Sequence, residues 1–477
     1  MANYEGNGIT PPAALDEAVR MHAEAEDLLS RHEAMYRDAH RRYIWAHFFN
    51  IALGIWLVTS PPLLNLQSRA LASSDVISGA ALVVFAALSL SWRRPWARWA
   101  CAAIGAWVMS APILFWAPTA AGYLNDTLVG LLVIGFAVLV PPEPGVSPAA
   151  AMTGPTTPPG WSFNPSGWTQ RLPIIALALV GLHVSRYLAA YQLGHVDSVW
   201  DPFFEGGPDP KNGTEEIITS SVSQAWPVPD AGLGALTYLM EIATGVIGSR
   251  RRWRTMPWLV LLFGLMIAPL GVVSIFFIII QPIWIGTWCT LCLIAAGAML
   301  VQIPYSLDEL VATCQFLMRR KRAGQSLVHC FFFGDTDEGK AEPPVSEFER
   351  PLSTVVKDVV SGGVNLPWNL AVSILLGIWL MFTRVTLAAE GAMANANHLI
   401  GALVVTVSVI ACAEIARSAR LLNIPLGAAL LMTPFAYGAS LPVQVAASVI
   451  CGLALIALSL PRGVVRERYA GWNRYIL

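Results

Sequence analysis
Gly286 to Leu300 reads GTWCTLCLIAAGAML. Cys289 and Cys292 stand three residues apart near the start of an apolar run. If the run is helical, the two thiols share a face with β-carbons roughly 5–6 Å apart, within reach of a disulfide. A helix start also exposes unpaired N–H groups and a positive dipole end, which favour a thiolate. Pro282 and Gly286 lie just before, where a helix can begin or bend. The pair is either a redox couple or two small apolar residues, and the sequence around it has to decide.

Of the 477 residues, 55% are hydrophobic and 13% charged, with a mean hydropathy of +0.56. A soluble protein carries about 25% charged residues, so this composition is that of an integral membrane protein embedded in a lipid bilayer. A formal charge of −1 argues against nucleic-acid binding, which wants a net basic domain. The remaining cysteines, Cys101, Cys314, Cys330, Cys412 and Cys451, are scattered in or beside apolar runs and read as small hydrophobes. Their number and spacing exclude a disulfide framework. A metal site at Cys289 and Cys292 would need further ligands, and no nearby Cys/His pair supplies them. No signal peptide is visible: a charged, helix-like stretch (15–43) precedes the first apolar run, which should remain as a span.

A membrane helix needs about 20 mostly apolar residues. Twelve runs qualify as candidates: 44–64, 75–92, 97–117, 122–141, 172–192, 230–249, 256–281, 283–304, 367–388, 397–418, 422–438 and 440–460. Basic clusters at Arg37/Arg41/Arg42, Arg93/Arg94/Arg98, Arg250–Arg254, Arg319–Arg322, Arg417/Arg420 and Arg462/Arg466/Arg468 all fall on one side if the amino terminus is cytoplasmic. The other loops offer little beyond Arg69 and Lys211. Both termini are then expected in the cytoplasm and Cys289/Cys292 near the outer face of a bacterial-type inner membrane. The long outer loop (193–229) is acidic, with Asp197, Asp201, Glu205, Asp209, Glu215 and Glu216.

The first four spans repeat. GIWLVTSPPLL (54–64) is echoed by GAWVMSAPILF (105–115), and NIALGIWL (50–57) by NLAVSILLGIWL (369–380). SGAALVV (78–84) compares with IGALVVT (400–406), and GAWVM (105–109) with GAALLM (427–432). Two related four-helix units are expected at the two ends, packed through small residues. The amino-terminal unit resembles the SPW-repeat family. The motif stands here as Ser60-Pro61-Pro62 and Ser110-Ala111-Pro112, and APTAAGYLNDTLVGLLVIGFAVLVP (117–141) is similar to that family's last helix pair. The resemblance implies a membrane module without assigned chemistry. The expected order is a cytoplasmic helical segment (1–43), a four-helix unit (44–141), a Pro-rich linker (142–170), a central four-helix domain (171–322), a cytoplasmic linker (323–366), a second four-helix unit (367–461) and a basic tail (462–477). The fold expected is an all-α membrane protein of about twelve spans, a four-helix bundle between two four-helix repeat units.

The central unit resembles the vitamin K epoxide reductase family, including its bacterial members. The carrying residues are WCTLC (288–292) and GTEEIITSSVSQAWPVPDAGLGALTYL (213–239), with Ser220, Pro229, Gly234 and Tyr238 in the family pattern. The resemblance implies a redox-active Cys289–Cys292 pair, a quinone (menaquinone or ubiquinone) as cofactor, and a thioredoxin-like partner on the outer side. It places Ser220 near the cysteines as a third catalytic residue. The family's loop cysteine pair is missing: no cysteine lies between Cys101 and Cys289, and Thr214 stands where the second loop cysteine would be. Ala296 stands where mammalian members carry a tyrosine, so reduction of vitamin K epoxide itself is not expected. Arg186 and Tyr238 are candidates for holding the quinone. His183, Glu241 and Glu414 are further ionisable residues in or beside spans. The expected function is quinone-coupled thiol–disulfide exchange, with Cys289 the more exposed thiol and Cys292 the one that meets the quinone. The alternative is a redox-inactive membrane scaffold or quinone-binding protein on the same fold.

Overall fold
The computed structural model describes residues 12–207, 210–339, 349–437 and 442–476. Asp209, residues 340–348 of the second linker and residues 438–441 lie outside the described residues. A charged helix, α1 (Pro12–Arg42), leads into α2 (Ile44–Leu63), α3 (Arg69–Leu88), α4 (Pro95–Leu114) and α5 (Ala120–Ile134). The central unit has α6 (Trp168–Gln192), α7 (Asp230–Val246), α8 (Pro257–Ile280) and α9 (Thr290–Arg322). The last has α10 (Trp368–Met381), α11 (Gly391–Ile410), α12 (Asn423–Tyr437) and α13 (Pro442–Ser459). Helices thus stand at all twelve expected places. Among the described residues, ten are long and apolar enough to cross a membrane. Two of the ten reach that length only with the turns that adjoin them, α5 over Ala120–Leu139 and α12 over Glu414–Tyr437; α7 with 17 residues and α10 with 14 fall short of it, so ten of the twelve expected spans are full length. Apolar composition makes these stretches helical because a chain in lipid must bond every backbone group within itself. Their starts are marked in the ordinary way: Ser68 and Thr119 accept N–H groups of the first turns of α3 and α5, and Pro95 and Pro257 open α4 and α8.

In the flanking units the helices come as pairs that cross on glycine. A Cβ built on Gly79 would stand 2.5 Å from the Gly54 carbonyl oxygen, and one on Gly54 would stand 2.8 Å from that of Gly79. The same reciprocal contact joins Gly105 with Gly130, Gly377 with Gly401 and Gly427 with Gly452. No side chain fits at such a crossing, so only glycine lets the backbones come this close. The echoed stretches in the sequence start at, or enclose, these crossing glycines.

At the arginine-rich end the Pro-rich stretch 142–170 is folded rather than loose. Arg254, fully buried, donates to the carbonyls of Pro155 (2.8 Å), Ala150 (2.9 Å) and Thr153 (2.7 Å). Trp253 Nε1 donates to Thr156 O (2.8 Å), and Ser147 N to Phe333 O (2.7 Å). The second linker is tied back by the ion pairs Arg319–Asp337 and Arg320–Asp335, both 2.6 Å. Deeper in the core, Arg252 and Glu309 form a buried pair at 2.6 Å that also engages Ser166. Glu414, one of the ionisable residues singled out beside the spans, accepts from Asn365, the Arg466 and Glu467 N–H groups and the Tyr469 hydroxyl, pinning the tail.

Candidate functional site
The site begins where α8 loses its regular hydrogen bonding. Pro282 has no N–H to give the Ile278 carbonyl, and the chain makes a wide turn over Gln281–Ile285. His398 of α11 lies against the freed carbonyl, Nε2 at 3.1 Å, with Nδ1 3.1 Å from Met381 O. The third unit therefore supplies a contact that the proline removes. Gly286 closes the turn at φ +97°, a conformation that favours glycine. Cys289 is then the N-cap of α9: its Sγ accepts the Cys292 N–H at 3.0 Å. Its own N–H donates to Gln281 Oε1 at 3.1 Å. The two cysteines form a disulfide with a Cα–Cα distance of 5.2 Å.

A cap seals the cysteines from the loop side. Asp201 accepts from the hydroxyls of Thr214 (2.6 Å) and Thr290 (2.5 Å) and from both their N–H groups. One carboxylate thus staples the loop to the first turn of α9. Burial alone would raise the pKa of this carboxyl, but the hydrogen bonds from Thr214 and Thr290 outweigh it and hold the value below normal. The short helix Gly213–Ile218 starts on a capping box between Asn212 and Glu215. Gly213 presses so close to the Trp288 carbonyl that an added Cβ would sit 2.4 Å away. Phe204, Trp288 and Phe382 form a three-ring cluster, with the Phe204 centroid 5.5 Å from Trp288 and 6.4 Å from Phe382.

On the other side lies a cavity of about 360 Å³ between α7 and α8. Its wall is mostly apolar, with Ser220, Asp230, Tyr238 and Gln281 as its main polar groups, and Cys292 faces it. That size and mix suit a flat, mainly apolar ring with a few polar atoms. Tyr238 is fixed by donating to Ala295 O at 2.8 Å, and Gly181 leaves room for its ring.

The structure brings Cys292, Ser220, Tyr238 and Ala296 to one cavity. The Ser220 hydroxyl is occupied, donating to Ile217 O (2.7 Å) and accepting from Ser223 N. Arg186 and His183 are exposed on the outside of α6, away from the cavity lining. The expectation that Cys289 is the more exposed thiol is corrected: it is fully buried, while Cys292 is partly exposed toward the cavity. The reason is the cap, which covers the helix start that would otherwise face water. Thr214 is fully buried in that cap. Asp201, Gln281 and Phe382 carried no sequence signal, because their partners lie across folded contacts: 13 and 89 residues away for Asp201, 8 for Gln281 and 94 or more for Phe382.

Comparison with known families fits this arrangement. Residues 172–307 match the vitamin K epoxide reductase family. Residues 44–140 and 367–461 match the SPW repeat domain. No curated protein and no solved structure matches the chain.

Proposed function
From a vitamin K epoxide reductase family core held between two SPW repeat domains, we propose a quinone-linked thiol–disulfide oxidoreductase working at Cys289 and Cys292. The observation that carries this reading is the disulfide whose Cys292 side faces the apolar cavity while Cys289 is sealed under a cap. A quinone bound in the cavity, menaquinone or ubiquinone, supplies a two-electron acceptor. The chain's own residues do the rest. Cys292 presents its sulfur to the cavity. Cys289, once reduced, gains thiolate character from the start of α9. Tyr238 and Ser220 shape the wall, and the Asp201 cap keeps water out. The arginine-rich end is cytoplasmic in this reading, and the cysteine end faces the outer side. A thioredoxin-like protein there delivers electrons, lifting the cap to reach Cys289 because no loop thiols relay them.

The test is the redox state of the pair in native membranes, read by mass-shifting alkylation with the five other cysteines replaced. A disulfide reduced by a dithiol and restored by added menaquinone is the expected result, with Cys292→Ser abolishing restoration. The buried Thr214 in place of a loop thiol favours a second reading, a redox-inactive scaffold. Thiols that remain reduced whatever the quinone would establish that reading instead.

A further inference from the structure
Beyond the cavity, two core helices carry polar side chains where the bundle is otherwise apolar. On α7 these are Tyr238, Glu241 and Thr244; on α9 they are Gln302, Ser306 and Glu309. Spacings of three and four put each set on one helix face, and all six are buried. The file begins at Tyr238 in the cavity wall and ends at the Arg252–Glu309 pair near the arginine-rich end. Gln302 stands beside Glu241 across the two helices. Both carboxyl oxygens of Glu241 lack a hydrogen-bond partner, as does Oε1 of Gln302. Thr244 and Ser306 bond back to their own helices, to Met240 O (2.8 Å) and Ile303 O (2.7 Å). Glu241 is thus a fully buried carboxyl with no ion-pair partner among the described residues. Stability gives no reason for it, and an ionisable group at this depth points to function.

We propose that this file carries a proton between the arginine-rich end and the cavity, with Glu241 as the group that holds it. The inference rests on the quinone-linked reading. When Cys289 and Cys292 join, they release two electrons and two protons, and reduction of quinone to quinol consumes two of each. Glu241 gives one of those protons through the Tyr238 hydroxyl and regains it from the arginine-rich end by way of Gln302 and Ser306. One thiol proton reaches the quinone; the other leaves at the cysteine end. About one proton therefore crosses for each disulfide formed. Glu241 acts through Tyr238 and is a positioning residue for the proton, not a group that touches the reacting atoms.

The experiment uses the full chain in liposomes, arginine-rich end inward, with menaquinone in the bilayer and dithiothreitol outside. A lumenal pH dye and quinone absorbance are followed together. An infrared difference spectrum between oxidised and reduced protein is taken without quinone. Wild-type protein should alkalinise the lumen by about one proton per quinol and show the stretch of a neutral carboxyl. Glu241→Gln should lose that band, abolish alkalinisation and slow quinone reduction at least tenfold, while keeping the disulfide; Glu241→Asp should retain part of each. Should Glu241→Gln fail to insert, Gln302→Leu carries the same expectation for alkalinisation. Quinone reduction without a lumenal change, the absence of the band, or a Glu241→Gln protein that behaves as wild type would overturn the proposal. Wild-type protein that reduces no quinone would bring down the redox reading, and the proton file with it.

Discussion
Asp201 shows how much one side chain can decide. It was one acid among six in an acidic loop, yet among the described residues it is the acid that joins the loop to the first turn of α9. Its hydrogen bonds to two threonines keep its folded pKa below the unfolded value. The sign follows from that depression. The cap has its full strength above the unfolded value of about 3.9 and loses it as the pH falls through the lower folded value. Cys289 should therefore be better protected at neutral pH than in acid, as exchange of the reduced protein with dithiodipyridine, a reagent that still reacts with thiols in acid, would show across a pH series. Asp201→Asn should weaken the cap by about 1–2 kcal/mol, allowing for its partial exposure. The readout is several-fold faster alkylation of Cys289 at pH 7, with Cys292 unchanged. Equal rates in variant and wild type would mean that the aromatic contacts of Trp288 alone hold the seal.

At the scale of elements, glycine has two different uses. At Gly79 it lets α3 meet α2 backbone to backbone. Gly79→Leu should force the pair apart and cost about 1–3 kcal/mol, seen as a lower unfolding temperature in detergent. Gly297 on α9 has nothing within 4 Å of an added Cβ. Gly297→Ala should be neutral or stabilising by up to about 1 kcal/mol, because alanine is the better helix former. The contrast could not be read from composition, since both are glycines in apolar runs. The repeat did single out Gly79 in SGAALVV (78–84), and it did so because the crossing recurs in every pair.

For the whole molecule, a buried guanidinium group fastens both linkers to the central unit at the arginine-rich end. Arg254 holds the 150–155 strap by its carbonyls. Arg254→Ala would leave those carbonyls without donors, each costing about 1–3 kcal/mol where buried. The stretch 142–170 should then become a site of limited proteolysis in the variant and resist it in the wild type. His398 does the corresponding work inside the bundle, where α11 of the third unit meets the freed carbonyl of α8 beside the cysteines. The third unit is thus part of the packing beside the cysteine end of the site.

Local chemistry made much of this protein legible. Long apolar runs specify helices because lipid offers no other partner for the backbone, and twelve of them stood where expected. Two cysteines one turn apart at a helix start specified the disulfide geometry, and the family pattern carried Tyr238 to the cavity. What only the tertiary structure decided was access and fastening. Which thiol is open depends on Asp201 and Phe204, far away in sequence. Whether a proline-rich stretch is loose depends on Arg254 reaching it from another unit. Such contacts join residues with no common period or motif, so they exist only once the chain has folded.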